Sequence, residues 1–463
     1  MSERENSPSL VVLANRLPLF RDSDDGEWAI SPGGLVSALS TKVLRGKNLT
    51  WIGWDGAIDV STDPFEIDGV KMVPVSLDEF EIRGYYEGFA NGCLWPLFHD
   101  SIGNPEFRRD WWRTFSQVNL RFAKIAASTA DTGATVWIHD YHLLLVPQLL
   151  RELRPDLRIG FFLHIPFPAR EILLRLPWRR EIIEGLLGAE VIGFQTPVTA
   201  QNFMNAVERM SDAAVQGSVI THKGRSIEVD AFPVGVDIDR CDQVLSDPAT
   251  KGFIAEFKEL VGPGRRLLLG VDRLDYTKGI ELRLLAIREL LDAGQLDPDF
   301  VTVVQIAEPS REDSNGYGEI QAEVERVVGG INGDHGTLNR RVVHYVRSSV
   351  PFEQLVALYS IADVMLVTPF RDGMNLVSKE FVACSEDSLG VLILSEFAGA
   401  ALELDEALLV NPYDIENVKR AILQALEMSE SEQKCRMKAL RNKVREGSAS
   451  KWVSDFLERL QCL

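Results

Sequence analysis

Short apolar runs alternate with stretches of helical spacing along almost the whole chain, and that alternation leaves few folds open. Nine runs read as strands: residues 10–14, 135–138, 158–163, 190–194, 266–271, 300–306, 342–346, 363–367 and 390–394. Each is nearly continuous in Val, Ile, Leu and Phe, the pattern of strands buried on both faces. Between them, segments such as 143–153 and 279–291 carry apolar residues at helical spacing. Strand, helix and strand in series imply parallel sheets with helices packed on them. The series breaks near residues 232–239, where Pro233 and Gly235 interrupt it, and resumes at Arg266. The expected fold class is α/β, with two Rossmann-like domains of parallel sheets, 1–235 and 236–450. The domain boundary is expected at this break. Ligands of such sheets bind beyond the carboxyl ends of the strands, in a crevice.

Charge and cysteine usage narrow the partners. Lys and Arg number 49 and Asp and Glu 68, a formal net charge of −19. Phosphate backbones and anionic bilayers need a basic surface, so neither a nucleic acid nor a membrane is an expected partner. A small basic pocket for a phosphorylated metabolite remains open. No apolar run approaches the roughly 18 residues that a membrane-spanning helix needs. The start, MSERENSPS, has no apolar core of a signal peptide. Five cysteines are scattered without a CxxC pair, which fits a reducing cytoplasm and argues against a zinc site.

The polar residues just past the strands are the candidate site. The first strand runs into Asn15-Arg16-Leu17-Pro18, and Pro32-Gly33-Gly34-Leu35 then opens a helix. Adjacent glycines let a backbone approach a phosphate at a helix N-terminus. WIHDYH, 137–142, closes the next strand with Asp140 and His142, and FFLHIPFP ends the parallel one with His164. In GVDRLDYTKGI, Arg273 and Lys278 flank Asp275 and precede Gly279. Two cations at an amide-rich turn make a diphosphate clamp, or a surface salt-bridge pair. In TPFRDGMNLVSKE, 368–380, a strand leads into Asp372-Gly373 and a helix starts near Asn375. Amides at that start can hold a diphosphate, and Glu380, one turn on, can accept from a ribose diol.

These stretches, in this order, resemble the trehalose-6-phosphate synthases, retaining glycosyltransferases of the GT-B fold in glycosyltransferase family 20. The resemblance runs from about residue 10 to 460. It is carried by ANRLP, SPGGLVSAL, YYEGFANGCLWPLFH, WIHDYHLLLVP, IGFFLHIPFP, GVDRLDYTKGI, FRDGMNLVSKE and LSEFAGAA. It implies transfer of glucose from a nucleotide-diphosphate glucose, UDP- or GDP-glucose, to the anomeric hydroxyl of glucose 6-phosphate. The product is α,α-trehalose 6-phosphate. Carried over by position, Gly33 and Gly34 match donor contacts of the first domain. Arg273 and Lys278 match the diphosphate ligands. Gly373, Met374, Asn375 and Leu376 to Glu380 (with Val377, Ser378 and Lys379) match the segment that holds phosphate and ribose. Asp372 matches the donor-sugar ligand, and Val350 lies in the stretch whose backbone meets the base. On the acceptor side, Arg16, Tyr86 and Arg311 match the grip on the 6-phosphate, Asp140 the hydroxyl ligand, and Trp95 and His164 residues that shape the sugar subsites. Residues 451–463, with Trp452 and Phe456 at i, i+4, are expected to return to the first domain by the habit of the family.

Asp140, His164, Arg273, Lys278 and Asp372 are therefore the catalytic candidates. The resemblance assigns both aspartates to hydroxyl binding, which leaves no covalent nucleophile and implies front-face substitution without a metal or other cofactor. A dimer or tetramer is compatible with such enzymes. The alternatives are a transferase with another phosphorylated acceptor, such as glycerol 3-phosphate, and a non-catalytic phosphosugar sensor. Glu308 stands just ahead of Arg311, where relatives more often carry a small or apolar residue.

Overall fold

A computed structural model describes residues 9–21, 28–30, 39, 48–101, 106–309, 317–385 and 389–462. Gly33, Gly34 and Arg311 lie outside the described residues. The chain divides into two compact units, Met1–Pro233 with Ala449–Leu463, and Val234–Ser448.

The first unit holds twelve strands among its described residues. They are β1 (Leu10–Arg16), β2 (Leu19–Arg21), β3 (Trp28–Ile30), β4 (Leu49–Trp54), β5 (Phe65–Ile67), β6 (Val70–Pro74), β7 (Thr135–His139), β8 (Arg158–Phe162), β9 (Val191–Phe194), β10 (Ala214–Gln216), β11 (Val219–His222) and β12 (Arg225–Ala231). Ten form one sheet in the order β10-β11-β12-β9-β8-β7-β1-β4-β6-β5, and β2 pairs with β3. The run from β12 to β6 is parallel, while β5 at one end and β11 and β10 at the other add antiparallel. The chain moves outward from β1 through β4 to β6, then returns to place β7 on the other side of β1. The topological switch point therefore lies between β1 and β7, where doubly wound sheets bind ligands. The helix Ala449–Gln461 belongs to this unit, with Trp452 against Trp137 (ring centroids 5.0 Å apart) and Phe456 against Trp137 (4.7 Å).

The second unit is one six-stranded parallel sheet, built from β13 (Arg266–Arg273), β14 (Val301–Glu308), β15 (Val343–Val346), β16 (Val364–Val367), β17 (Val391–Ser395) and β18 (Leu408–Val410). Its order is β15-β14-β13-β16-β17-β18. The period-2 pleat divides each apolar run between two cores. Leu267, Leu269, Val304, Ile306, Met365 and Val367 face one. Leu268, Val301, Val303, Val364 and Leu366 face the other. The switch point here lies between β13 and β16. The nine runs expected to be strands all fall on strands. The reading did not extend to β4, β6, the β10–β12 edge or β18.

Beneath the end of β13 sits a buried charge. Arg283, 1% exposed, pairs with Asp272 of β13, 2% exposed, at 2.7 Å. Its guanidinium also donates to Thr368 Oγ1 (2.9 Å), just past β16, and to Gln305 Oε1 (3.1 Å) of β14. Gly270 makes the room: a Cβ there would stand 2.5 Å from Arg283 Nη1 and 2.3 Å from Gln305 Oε1. Removing one member of a buried pair leaves the other charge uncompensated. Arg283→Met is expected to cost about 3–5 kcal/mol in urea unfolding of the full chain. Adding Asp272→Leu should recover part of that loss; an unchanged midpoint in the single variant contradicts the assignment.

Candidate active site

Each unit brings several of the expected residues to its own switch point. In the first unit β1 delivers Asn15 and Arg16 to the carboxyl edge. The Arg16 guanidinium lies 4.3 Å from the Trp54 ring and 5.6 Å from that of Tyr86. Trp54 is fixed from behind, its Nε1–H donating to Ala57 O (2.7 Å), while Asp55 accepts from Ala57 N–H and Thr62 Oγ1. Tyr86 comes from a π-helix, Ile82–Leu94, whose end is marked by an i→i−5 bond from Trp95 N–H to Ala90 O. Such helices are rare and concentrate at functional sites. Its neighbour Tyr85 donates to Asn15 Oδ1 at 2.8 Å, so successive helix residues meet successive residues of β1. Tyr86 also stacks on His142, 5.7 Å between centroids. Trp95 packs on His99 (3.9 Å) and Tyr141 (5.8 Å).

Asp140 occupies a strained backbone position directly after β7, with φ 74° and ψ 169°. That region is essentially restricted to glycine, and holding another residue there costs on the order of 1–3 kcal/mol. The surroundings enforce it: Asp140 N–H donates to Phe162 O (2.8 Å) and Asp140 O accepts from Leu143 N–H (3.1 Å). Asp140 Oδ1 accepts from the backbone N–H of His164 at 3.2 Å, tying the two strand ends together. The His164 ring contacts His139, Nε2 to Nδ1 at 3.1 Å. Burial pushes His164 down to about 3 and holds His139 well below the usual imidazole range, so both are neutral at physiological pH.

In the second unit the two halves of the expected donor site meet. Lys278 Nζ lies 2.6 Å from Asp372 Oδ2, with the side chains 12% and 16% exposed. The same oxygen accepts from Asn375 Nδ2 at 3.1 Å. Lys278 stands on the turn Tyr276–Lys278, capped by Asp275, whose Oδ1 accepts from Thr277 N–H (2.9 Å) and Oγ1 (2.7 Å). Gly279 follows at φ 62°, where a Cβ would meet Thr368 O at 2.6 Å. Arg273 is exposed at the end of β13.

The helix Leu376–Cys384 is capped by Asn375, whose Oδ1 accepts from Ser378 N–H at 3.0 Å. The cap engages Ser378 and not Leu376 or Val377, whose amides are the pair pointing beyond the helix start. Lys379 turns inward: 1% exposed, its ammonium donates to Val234 O (2.8 Å) and Glu403 Oε1 (2.9 Å). Glu380 accepts from Tyr359 OH at 3.3 Å, and burial pushes its carboxyl up to about 7. Gly373 and Met374 are buried, with Met374 O accepting from Ala400 N–H (2.8 Å). Val350, Leu376 and Val377 are partly buried against the core. Glu308 ends β14 and accepts from Ser349 Oγ at 2.7 Å. Among the described residues no cluster of three or more His, Cys, Asp or Glu side chains is placed to hold a metal ion, and no helix is long and apolar enough to cross a membrane.

Trp54 and His139 were not singled out from the sequence. Trp54 had a signal in a Trp-Asp pair before a glycine, and His139 stood inside WIHDYH, but neither partner is adjacent in the chain. The strain at Asp140 is separable from its carboxylate. Asp140→Gly and Asp140→Ala both lose the acceptor oxygens, and the glycine variant is expected to be about 1–2 kcal/mol more stable by denaturant unfolding. Equal stability of the two contradicts a strained backbone.

Comparison with known proteins places this geometry. The family model for Glycosyltransferase family 20 matches residues 8–462. The chain is 49% identical over 468 residues to a trehalose-6-phosphate synthase of Mycolicibacterium gilvum, covering 97% of this chain and 93% of that one. A relative of the same name from Mycolicibacterium smegmatis is 46% identical over 97% of this chain and 92% of its own. Among solved structures, an alpha,alpha-trehalose-phosphate synthase (UDP-forming) of Burkholderia xenovorans, in complex with glucose-6-phosphate, superposes with TM-score 0.90. Its identity is 33% over 98% of this chain and 100% of that chain. An E. coli protein bound with UDP-2-fluoro glucose superposes with TM-score 0.89 at 32% identity, over 98% and 99% of the two chains. The fold is GT-B, the protein is a glycosyltransferase, and the chain belongs to glycosyltransferase family 20.

Proposed function

We propose that this protein transfers glucose from a nucleotide-diphosphate glucose to the anomeric hydroxyl of glucose 6-phosphate, yielding α,α-trehalose 6-phosphate and a nucleoside diphosphate. The observation that carries the reading is the Lys278–Asp372 pair at the β13/β16 switch point, which sets a cation and a sugar-hydroxyl acceptor 2.6 Å apart. The relatives' names and the glucose-6-phosphate and UDP-sugar complexes of the solved neighbours support it. In this reading UDP- or GDP-glucose binds the second unit. Arg273, Lys278 and the amides of Leu376 and Val377 carry the diphosphate, Asp372 the sugar hydroxyls and Glu380 the ribose diol. Val350 lies by the base. Arg16 and Tyr86, with Arg311, grip the acceptor phosphate, and Asp140 orients the acceptor sugar beside Trp95 and His164.

The step is front-face substitution with retention. The bond from the anomeric carbon to the diphosphate oxygen breaks, and the bond to the acceptor oxygen forms on the same face. The acceptor proton passes to the departing diphosphate. Charge on the leaving group is met by Arg273, Lys278 and the helix amides, contacts that strengthen as charge develops. The reading assigns no step to a metal. The protein works mainly by orienting the two sugars.

A panel of UDP-, GDP- and ADP-glucose with glucose 6-phosphate and glycerol 3-phosphate as acceptors tests the reaction. Product with glucose 6-phosphate is expected, and turnover only with glycerol 3-phosphate overturns the acceptor. Lys278→Ala is expected to lower kcat by about 10²–10³-fold; near-normal turnover at saturating donor removes Lys278 from the clamp. Because the ribose diol needs an ionised acceptor and the Glu380 carboxyl titrates at about 7, donor affinity rises with pH. Calorimetry with UDP-glucose is expected to give up to about tenfold tighter binding at pH 8 than at pH 6. Glu380→Gln should flatten that dependence, and a flat wild-type profile contradicts the role.

A further inference from the structure

We propose that His139 is a positioning residue that holds His164 in its neutral Nδ1–H tautomer, so that His164 presents a hydrogen-bond donor to the bound sugar. The proposal rests on the transferase reading above for the sugar, but not for the tautomer. His139 is the last residue of β7 and is wholly buried, whereas His164, just past the end of the neighbouring β8, is partly exposed. Their rings meet through His139 Nδ1 and His164 Nε2 at 3.1 Å. Both imidazoles are neutral, so one of these nitrogens donates and the other accepts.

The two arrangements are not equivalent. If His164 Nε2–H donated, His139 would carry its own proton on Nε2. That atom is buried with no hydrogen-bond partner among the described residues. The indoles packed around it, Trp137 (ring centroids 4.5 Å apart) and Trp452 (6.3 Å), offer only N–H donors, and neither of those has an acceptor among the described residues. Burying one more N–H without an acceptor is the costly choice, because an unmade donor forfeits its hydration. The other arrangement leaves only a lone pair at His139 Nε2, next to two indoles that carry N–H donors and no acceptor nitrogen. His139 Nδ1–H therefore donates to His164 Nε2, and the His164 proton sits on Nδ1.

That choice sets what His164 can do. Nε2 is occupied, so Nδ1–H is the group left for a ligand. The backbone N–H of His164 binds Asp140 Oδ1 at 3.2 Å, which ties the residue to the strained aspartate. An imidazole that stays neutral is a poor proton source, so His164 orients a sugar oxygen instead of transferring a proton. This agrees with a reaction in which the leaving diphosphate takes the acceptor proton.

Long-range ¹H–¹⁵N correlation spectra of the ligand-free full chain, labelled with ¹⁵N-histidine, read the tautomer directly. His164→Gln assigns the signal by its disappearance. The expected pattern is protonated Nδ1 and unprotonated Nε2 at His164, the reverse of the form favoured by free histidine in water. His139→Leu should release His164 toward Nε2–H and lower kcat about tenfold. His139→Asn, whose amide nitrogen replaces Nδ1, should keep the Nδ1–H form and recover most of the activity. An Nε2–H signal from His164 in the wild type overturns the proposal. So does a leucine variant that shifts neither tautomer nor kcat, or one that shifts the tautomer alone. If the leucine variant fails to fold, the wild-type spectrum and the asparagine variant still decide. Absence of turnover with every donor and acceptor would overturn the transferase reading and leave the tautomer result standing.

Discussion

The carboxyl edge of the second unit's sheet hangs on one buried cation. Arg283 touches Asp272 on β13, Gln305 on β14 and Thr368 after β16, three consecutive neighbours of the parallel sheet. The turn that carries Lys278 is packed against the same place, since Gly279 lies under Thr368 O. A charge in that position is tolerated only because every partner is in place, and an incomplete set leaves a desolvated ion. The network thus fixes the spacing of three strand ends, and with it the 2.6 Å approach of Lys278 to Asp372. The strand ends are held together here by a foundation that is polar, buried and paired.

Both units use the same topological device with different chemistry. In the first, β7 returns beside β1, so Arg16 and Asp140 emerge on the two sides of a switch point. In the second, β16 returns beside β13, and Lys278 and Asp372 emerge likewise. Helices on opposite faces diverge there and leave the strand ends uncovered. The first unit gathers rings at its switch point: Trp54 and Tyr86 meet edge-on beneath the Arg16 guanidinium, and His142 stacks on Tyr86. Ring faces of that kind also suit sugar surfaces. The second unit lines its gap with a cation, a carboxylate and a capped helix start, which suits a charged, hydroxylated ligand.

How much was readable follows from the range of the interactions. Continuous apolar runs such as 266–271 and 363–367 announce buried strands because both faces of a parallel sheet demand the same residues. β4, with Gly53 between two tryptophans, and the short antiparallel strands β10 and β11 lack that signature. The candidate site residues stand at polar positions after strands and in the stretches that carry the family resemblance. Their pairings are not legible there, since Lys278 and Asp372 are 94 positions apart. The π-helix was equally hidden. Its widened turns let Tyr85 and Tyr86 reach Asn15 and Arg16, a fit that is decided by the neighbouring strand. Lys379 and Ser378 belong to the motif that the sequence singled out, yet their polar groups are committed internally, to Val234 O and Glu403 in one case and to the Asn375 cap in the other.

By itself the sequence determined the fold class, the alternation of strands and helices, and which segments are candidates for chemistry, because those depend on local periodicity and residue type. Only the tertiary structure decided which of these polar groups are buried, which are paired and in what state they sit. The neutral His139–His164 pair, the strained Asp140 and the Glu380 carboxyl near 7 all arise from burial beside residues distant in the chain. Protonation and strain are properties of an enclosure, and an enclosure exists only once the strands have been brought together.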